Sequence, residues 1–207
     1  LVNYFIKGNI ELNKVDKDYP DNKLTGAEFE VYTDTNGDGK LDNGDKLLGT
    51  MTELDGGVYQ MKELRYGKYL VREKTAPTGF VLDENVYSVP IEENGKTYIV
   101  ENEAGVGFVN AAQKGSLKIV KTSSDGKVEG FSFRVTGADG YDQTFKTDKN
   151  GEIFIEGLRI GEYTVSEVND SVSAGYILPA DKQATVKVGA TTIVEMHNEL
   201  RDTPKTG

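Results

Sequence analysis

The chain has 207 residues and a formal net charge of −10, from 24 Lys and Arg against 34 Asp and Glu. This acidity excludes nucleic acid as an expected partner, because phosphate backbones repel it. With no Cys and a single His, the sequence also excludes disulfides, thiol chemistry, Cys-type zinc sites and an easily built Ser-His-Asp triad. No apolar run reaches the roughly 20 residues of a membrane-spanning helix, so we expect no membrane insertion.

The chain begins with a short strand-like segment that precedes the first repeat. Asn3 precedes Lys14 by 11 residues, just as Asn110 precedes Lys121. Residues 1–8 are therefore predicted to be the tail of a preceding module and a linker.

An internal repeat organises the rest of the chain. The pattern L-R-x-G-x-Y-x-V-x-E occurs at 64–73 and again at 158–167, and residues 8–14 align with 115–121. Short alternating segments between Gly, Asp and Asn turns, without helical periodicity, indicate β-strands. We predict an all-β protein with two antiparallel β-sandwich domains, at 9–112 and 113–200.

Each repeat directs three polar side chains toward its apolar interior. Residues two apart share one face of a strand, so the apolar residues before each polar residue fix its direction. A single inward Lys is more often a frayed strand end, because Lys is rarely buried, and a Lys beside a Glu can be a plain ion pair. The same residue types in the same order in both repeats favour a shared role. The sets are Lys14, Glu73 and Asn110 in the first repeat, and Lys121, Glu167 and Asn198 in the second.

Burial gives these three residue types a specific chemistry. Desolvation lowers the pKa of a Lys and raises that of a Glu, so both can be neutral. A neutral amine is a nucleophile toward the Asn amide carbon, and a protonated Glu can polarise the amide and move protons. We therefore predict Lys14–Asn110 and Lys121–Asn198 isopeptide bonds, assisted by Glu73 as the catalytic residue of the first. Glu167 has that role in the second.

The first repeat contains an inserted loop at residues 34–45, with the sequence DTNGDGKLDNGD. It fits the twelve-residue calcium-loop pattern, with Gly39 at the sharp turn and Asp42 positioned to act through water. An acidic, glycine-rich hairpin is the alternative, because the same residue types dominate turns. We predict one Ca²⁺, bound by side chains of Asp34, Asn36, Asp38 and Asp45 and by the Lys40 carbonyl. Asp in place of Glu at the last position is expected to weaken binding.

These motifs resemble the Cna protein B-type, SpaA-like domains of Gram-positive surface adhesins and pilins. The first copy carries K-V-D at 14–16, L-T-G-A-E-F at 24–29 and E-K-T-A-P-T-G-F at 73–80, with the closing Asn110. The second keeps Lys121, Glu167, A-G-Y at 174–176 and Asn198, but lacks the Pro. The resemblance implies tandem transthyretin-like β-sandwiches, each with an intramolecular Lys–Asn bond.

Residues 201–207 are predicted to contain a sorting motif. The sequence Thr203, Pro204, Lys205, Thr206, Gly207 resembles the L-P-x-T-G signal of sortase substrates, with Thr in place of Leu. The resemblance implies cleavage between Thr206 and Gly207. Sortase is then a partner, followed by linkage to peptidoglycan or to a neighbouring pilin subunit.

Together these features predict a structural stalk rather than an enzyme. Crosslinks formed once, without turnover, would protect an extracellular, wall-anchored protein against tension and proteolysis. The alternative is an adhesin module that binds a host surface ligand. The absence of Trp and the low aromatic content, 9%, argue against an aromatic-lined ligand groove.

Overall fold

The protein, as a computed structural model, is described from residue 4 to residue 202, and its contacts divide the chain into two units at the junction of Ala112 and Gln113. Each unit is a sandwich of two β-sheets, with almost no helix. Between residues 4 and 202, no helix has the length and apolar character needed to cross a membrane.

The first unit contains nine strands in two sheets. One sheet has the order β3-β2-β6-β7, and the other has the order β4-β5-β1-β8, with β9 also paired to β1. The strands are β1 Lys7–Asp16, β2 Glu28–Thr33, β3 Lys46–Thr50, β4 Thr52–Leu54, β5 Val58–Arg65, β6 Gly67–Thr75, β7 Val86–Ile91, β8 Thr97–Ile99 and β9 Phe108–Asn110.

The second unit repeats this plan with eight strands. Its sheets have the orders β12-β11-β14-β16 and β13-β10-β17-β15. The elements are β10 Lys114–Ser123, β11 Ser132–Gly137, a 3-10 turn Ala138–Gly140, β12 Tyr141–Lys146, β13 Glu152–Arg159, β14 Gly161–Glu167, β15 Tyr176–Ile177, β16 Lys182–Val186 and β17 Thr191–Leu200.

The repeated sequence pattern forms the same hairpin corner in both units. Tyr69 donates its hydroxyl to the carbonyl of Arg65 at 2.6 Å, and Tyr163 donates to Arg159 at the same distance. The Gly of the pattern lies between these partners with positive φ, 153° in the first unit, which favours a residue without a Cβ. The pattern is therefore a structural signature of the turn into β6 and β14.

Alternating apolar side chains fill the space between the two sheets of each unit. In the first core the Phe29 ring meets Tyr59 and Phe108 edge to face, with centroids 5.1 and 4.9 Å apart. In the second, Phe131 meets Tyr176 edge to face at 5.4 Å. Such contacts add to the stabilisation from apolar burial, which is about 25 cal/mol per Å².

The last strand of each unit pairs with the first strand in parallel, not antiparallel as the sequence predicts. β17 runs beside β10 over eight residue pairs, whereas β8 and β9 each pair with β1 over three. In the first unit, residues 100–107 separate β8 from β9, and Val106 among them lies in a turn. Gly107 returns the chain to β1 so closely that a Cβ would lie 2.8 Å from the Asn13 carbonyl oxygen. The predicted antiparallel arrangement is therefore wrong where the last strand of each unit meets the first.

Candidate crosslinking sites

The three polar residues of the first repeat are buried at one end of the first core. Lys14 on β1 and Asn110 on β9 belong to one sheet, and Glu73 on β6 reaches them from the opposite sheet. Their exposed fractions are 0%, 2% and 3%. The period-2 pattern of these strands thus directs all three side chains inward.

The side-chain amine of Lys14 contacts strand β9. Nζ donates to the Phe108 carbonyl at 3.0 Å and lies 5.4 Å from the centre of the Phe108 ring. The register pairs Lys14 with Phe108 and Asp16 with Asn110. The amine is therefore directed toward the strand that carries Asn110.

Asn110 and Glu73 are in direct contact. Asn110 Nδ2 donates to Glu73 Oε2 at 2.8 Å and to the Val81 carbonyl at 2.7 Å. The backbone N–H of Asp83 donates to the same Glu73 oxygen at 2.9 Å. The other two oxygens, Glu73 Oε1 and Asn110 Oδ1, are buried acceptors without a hydrogen-bond donor.

Burial shifts both ionisable groups toward neutrality. It lowers the pKa of Lys14 to about 8, although the nearby carboxylates of Glu73, Asp83 and Asp16 oppose the shift. It also raises the pKa of Glu73, against the hydrogen bonds from Asp83 and Asn110 and the charge of Lys14. The neutral amine and the neutral acid are thus both easier to reach than in water.

The second unit assembles the same three residue types on the equivalent strands. Lys121 on β10 and Asn198 on β17 are 1% and 0% exposed, and Glu167 on β14 is partly buried. Asn198 Nδ2 donates to Glu167 Oε1 at 2.9 Å, while Glu167 Oε2 and Asn198 Oδ1 are buried without a donor. Lys121 pairs with Met196, two residues before Asn198, just as Lys14 pairs with Phe108, two residues before Asn110.

The second lysine has different contacts. Lys121 Nζ donates to the Thr122 carbonyl and lies 4.5 Å from the centre of the Phe131 ring. Burial lowers the pKa of Lys121, and it raises the pKa of Glu167. The same electrostatic arrangement therefore occurs in both units.

The inserted loop joins β2 to β3 and folds on its own side chains. Asp34 is 7% exposed, and its carboxylate accepts backbone N–H bonds from Gly37 and Gly39, both at 2.9 Å. Asp45 accepts from Thr35 and Asp42 in the same way. Within residues 4–202, no three His, Asp or Glu side chains converge on a common point as metal ligands do.

The other predicted ligands lie on the exposed part of this loop. Asn36 Nδ2 lies between two carboxylates, 3.1 Å from Asp38 Oδ2 and 3.0 Å from Asp42 Oδ2. The Lys40 backbone N–H donates to Asp38 Oδ1 at 2.9 Å. The Ca²⁺ site stays a prediction, and the sorting motif at 203–207 lies outside the described residues.

Two residues near the first site have no signal in the sequence. Asp83 contacts Glu73 through its backbone, and its carboxylate accepts from Asn102, whose side chain in turn bonds to Val109. Both lie in irregular segments, where no strand periodicity indicates the direction of a side chain.

Two comparisons identify the relatives of the chain. The SpaA family model, described as a prealbumin-like fold domain, matches residues 8–104 and 115–200. No curated protein matches significantly. Among solved structures, the Bacillus anthracis TIE protein is 26% identical with a TM-score of 0.70.

The coverage of these structures differs. The match spans 95% of this chain but only 34% of the Bacillus anthracis protein. A C-terminal fragment of the pilus adhesin SpaC from Lactobacillus rhamnosus GG is 14% identical with a TM-score of 0.56, over 97% of this chain and 99% of the fragment. The predicted resemblance and the predicted pair of transthyretin-like sandwiches are confirmed.

Proposed function

Because the chain belongs to the SpaA family of prealbumin-like domains, we propose that it is a stalk segment of a Gram-positive surface adhesin or pilin. In this proposal each domain closes an intramolecular Lys–Asn isopeptide bond. The observation that carries it is a Lys, a Glu and an Asn at equivalent strand positions in both units, all buried except Glu167, which is partly buried. An apolar core does not need these residues, and burying them without a purpose is costly.

The proposed reaction is an amide exchange that needs no added reactant. The Lys Nζ attacks the Asn Cγ, the Nζ–Cγ bond forms, the Cγ–Nδ2 bond breaks, and ammonia leaves. The protonated Glu gives its proton to the Asn amide, whose nitrogen leaves as ammonia, and takes one proton from the attacking amine, so it ends the reaction protonated as it began. The reaction replaces the side-chain amide of the Asn by an amide between the Lys and the Asn. In this proposal each site therefore reacts once, and the chain is not an enzyme.

The unpartnered oxygens support a protonated Glu at the start of this reaction. Glu73 Oε1 and Asn110 Oδ1 are both acceptors, and both lack a donor. A proton on Glu73 would supply that donor and would polarise the Asn110 carbonyl toward attack. The second unit has the same pair of unpartnered oxygens, on Glu167 and Asn198.

The mass of the intact protein tests the proposal. Folded protein should be lighter than its sequence mass by two ammonia molecules, and Asn110→Ala protein should be lighter than its own sequence mass by one. Succinimide formation at an Asn-Gly pair such as 94–95 also releases ammonia, so peptide sequencing must locate the two Lys–Asn links. Well-folded protein that retains its full sequence mass would refute the proposal.

We propose in addition that the loop at 34–45 binds one Ca²⁺. Asp34 occupies the first ligand position, and the N–H groups of Gly37 and Gly39 hold its carboxylate in place. Each carboxylate oxygen keeps further acceptor capacity beyond those bonds. A cation would take the central position that the Asn36 amide nitrogen has between Asp38 and Asp42.

Cell-wall anchoring completes the proposed function. Sortase would act on the motif at 203–207 and link the chain to peptidoglycan or to a neighbouring pilin subunit, which makes the protein extracellular. The prealbumin-like fold shared with a pilus adhesin fragment supports this assignment. Binding of purified chain to immobilised host matrix proteins would favour the alternative, an adhesin module with a host surface ligand.

A further inference from the structure

The strand that presents Asn110 has little pairing of its own. Among the described strands, β9 has three residues and pairs with β1 alone, whereas β17, which presents Asn198, has ten residues. Residues 100–107 separate β9 from β8. Contacts outside the sheet therefore add to the pairing with β1 in positioning Asn110.

The Asn102 side chain replaces a neighbouring strand. Its Oδ1 accepts the Val109 N–H at 2.6 Å, and its Nδ2 donates to the Val109 carbonyl at 2.9 Å. Val109 lies between Phe108, whose carbonyl accepts Lys14 Nζ, and Asn110. One side chain thus satisfies both backbone groups at the centre of this short strand.

Asp83 connects Asn102 to the reacting groups. Its Oδ2 accepts Asn102 Nδ2 at 2.9 Å and the Tyr87 hydroxyl at 2.5 Å, and its Oδ1 accepts the Asn85 N–H at 2.9 Å. Its own backbone N–H donates to Glu73 Oε2. Asp83 therefore fixes the Glu through its backbone and Asn102 through its carboxylate.

We propose that Asp83 and Asn102 are positioning residues for the first crosslink, and we call them the Asp83–Asn102 clamp. The clamp aligns Asn110 with Glu73 and Lys14, and this inference rests on the proposed isopeptide reaction. Among the described residues of the second unit, Glu167 accepts a hydrogen bond from Asn198 alone, and the longer β17 makes a clamp unnecessary.

The clamp also places a negative charge, that of the Asp83 carboxylate, near the reacting groups. Burial opposes ionisation of Asp83, yet the hydrogen bonds from Tyr87, Asn102 and Asn85 outweigh it and hold the pKa of Asp83 below its ordinary value. The ionised carboxylate raises the pKa of both Glu73 and Lys14.

Other ionisable groups face the same site. They are Asp16 on β1, Tyr59 on β5 and Tyr87 on β7, with Lys17 and Glu103 along the adjoining cleft. Asp83 differs from them because its charge acts on both reacting groups while its hydrogen bonds hold the clamp.

The first test compares the rates of the two crosslinks within one chain. Unlinked protein, recovered in denaturant from inclusion bodies, is refolded, and peptide mass gives the linked fraction of each unit over time. Asn102→Ala should slow the first link roughly 10- to 100-fold, because misplacement of reacting groups by about 1 Å costs that much. The second link should keep its rate. The exposed Asn22→Ala, in the same unit, is the matched control.

The outcomes separate this inference from the proposed function. If the first link forms in Asn102→Ala at the wild-type rate, the clamp is overturned. Equal slowing of both links in this variant would also overturn it. Wild-type protein that forms neither link would overturn the isopeptide proposal itself.

The second test uses Asp83→Asn, which keeps the size and one of the two acceptor oxygens but removes the charge. The reaction needs one proton shared by Lys14 and Glu73, so its rate should be bell-shaped in pH. Loss of the Asp83 charge lowers both pKa values, so both limbs of the first-link profile should move to lower pH, while the second-link profile stays in place. A first-link profile that does not move would refute the electrostatic part of the clamp.

Discussion

The lysine amines of the two sites lie inside cores that otherwise contain aromatic and aliphatic side chains. Lys14 contacts the Phe108 ring, and Lys121 contacts the Phe131 ring. An ammonium there loses hydration, which favours release of its proton. The apolar packing that stabilises each unit would therefore also activate its proposed nucleophile.

Replacement of the Glu in one unit should slow the link of that unit and leave the link of the other unit unchanged. In Glu73→Gln the carboxyl proton is gone, and loss of general acid–base catalysis typically costs 10²–10⁴-fold, so we expect the first link to slow by at least ~100-fold. The second link should form normally, and Glu167→Gln should give the reverse result. Refolding followed by peptide mass measures both, and a first link that forms in Glu73→Gln at the wild-type rate would contradict the assigned role.

The depressed pKa of Lys14 predicts a pH-dependent stability in protein that cannot link. Burial lowers the pKa of Lys14 to about 8 from its ordinary 10.5, and we expect Asn110→Ala, which keeps this burial, to keep the lowered pKa. The unfolded chain therefore binds more protons between these values, so stability should rise with pH across this window, by at most about 3 kcal/mol. Below pH 8 this contribution is lost.

Chemical denaturation of the first unit at several pH values checks the effect of Lys14. Lys14→Met/Asn110→Ala is the control, because it lacks the titrating amine and keeps the other ionisable groups. The unfolding free energy of Asn110→Ala should rise relative to that of the control from pH 8 to pH 10.5. Parallel pH profiles would show that Lys14 does not titrate in this range.

At the scale of the elements, strand periodicity predicts which side chains face the core better than it predicts which strands are neighbours. Alternation along β1, β6, β10 and β17 fixes which side chains face the core, so the inward lysines follow from the sequence alone. It carries no information about which strands become neighbours, which is why the parallel last strand is not predicted.

The clamp residues escape prediction for a related reason. Asp83 and Asn102 lie in segments without regular structure. The orientations of their side chains depend on hydrogen bonds between residues 10 or more positions apart in the sequence. Asp and Asn are common in such segments whether or not they have a function. Tertiary contacts, rather than local propensity, determine their role.

The inserted loop gives a prediction at the scale of one element. Calcium should raise the melting temperature of the first unit and leave the second unchanged, because an ion that binds only the folded state stabilises it by mass action. Calorimetry with Ca²⁺ and with chelator measures the shift, and Asp34→Ala is the control that should remove it. Superimposable melting curves for the first unit would refute the calcium proposal.

In the whole molecule, the two links should determine how much chain can be extended under tension. The first would protect the 97 residues from Lys14 to Asn110, a contour of roughly 300 Å. Links that close loops of this size stabilise by about 4–5 kcal/mol in the loop-entropy model. The composition offers no disulfide for this purpose, since Cys is absent.

Removing both links should weaken the molecule without changing its fold. Asn110→Ala/Asn198→Ala protein should melt at lower temperature and be cleaved faster by protease than wild type. Single-molecule pulling should show extension of both units in the double variant and of the second unit alone in Asn198→Ala. Full extension of wild-type protein under the same force would show that the links do not carry the tension.

The parallel pairing of first and last strands has a mechanical consequence even before any link forms. Tension enters a unit at the start of its first strand and leaves at the end of its last, so adjacent parallel strands are pulled in opposite directions along their length. Their hydrogen bonds are then loaded together in shear and cannot open one at a time like a zipper. The second unit has eight consecutive residue pairs to share that load, whereas the first has two separate sets of three. An unlinked chain should therefore yield first in the unit that contains the clamp.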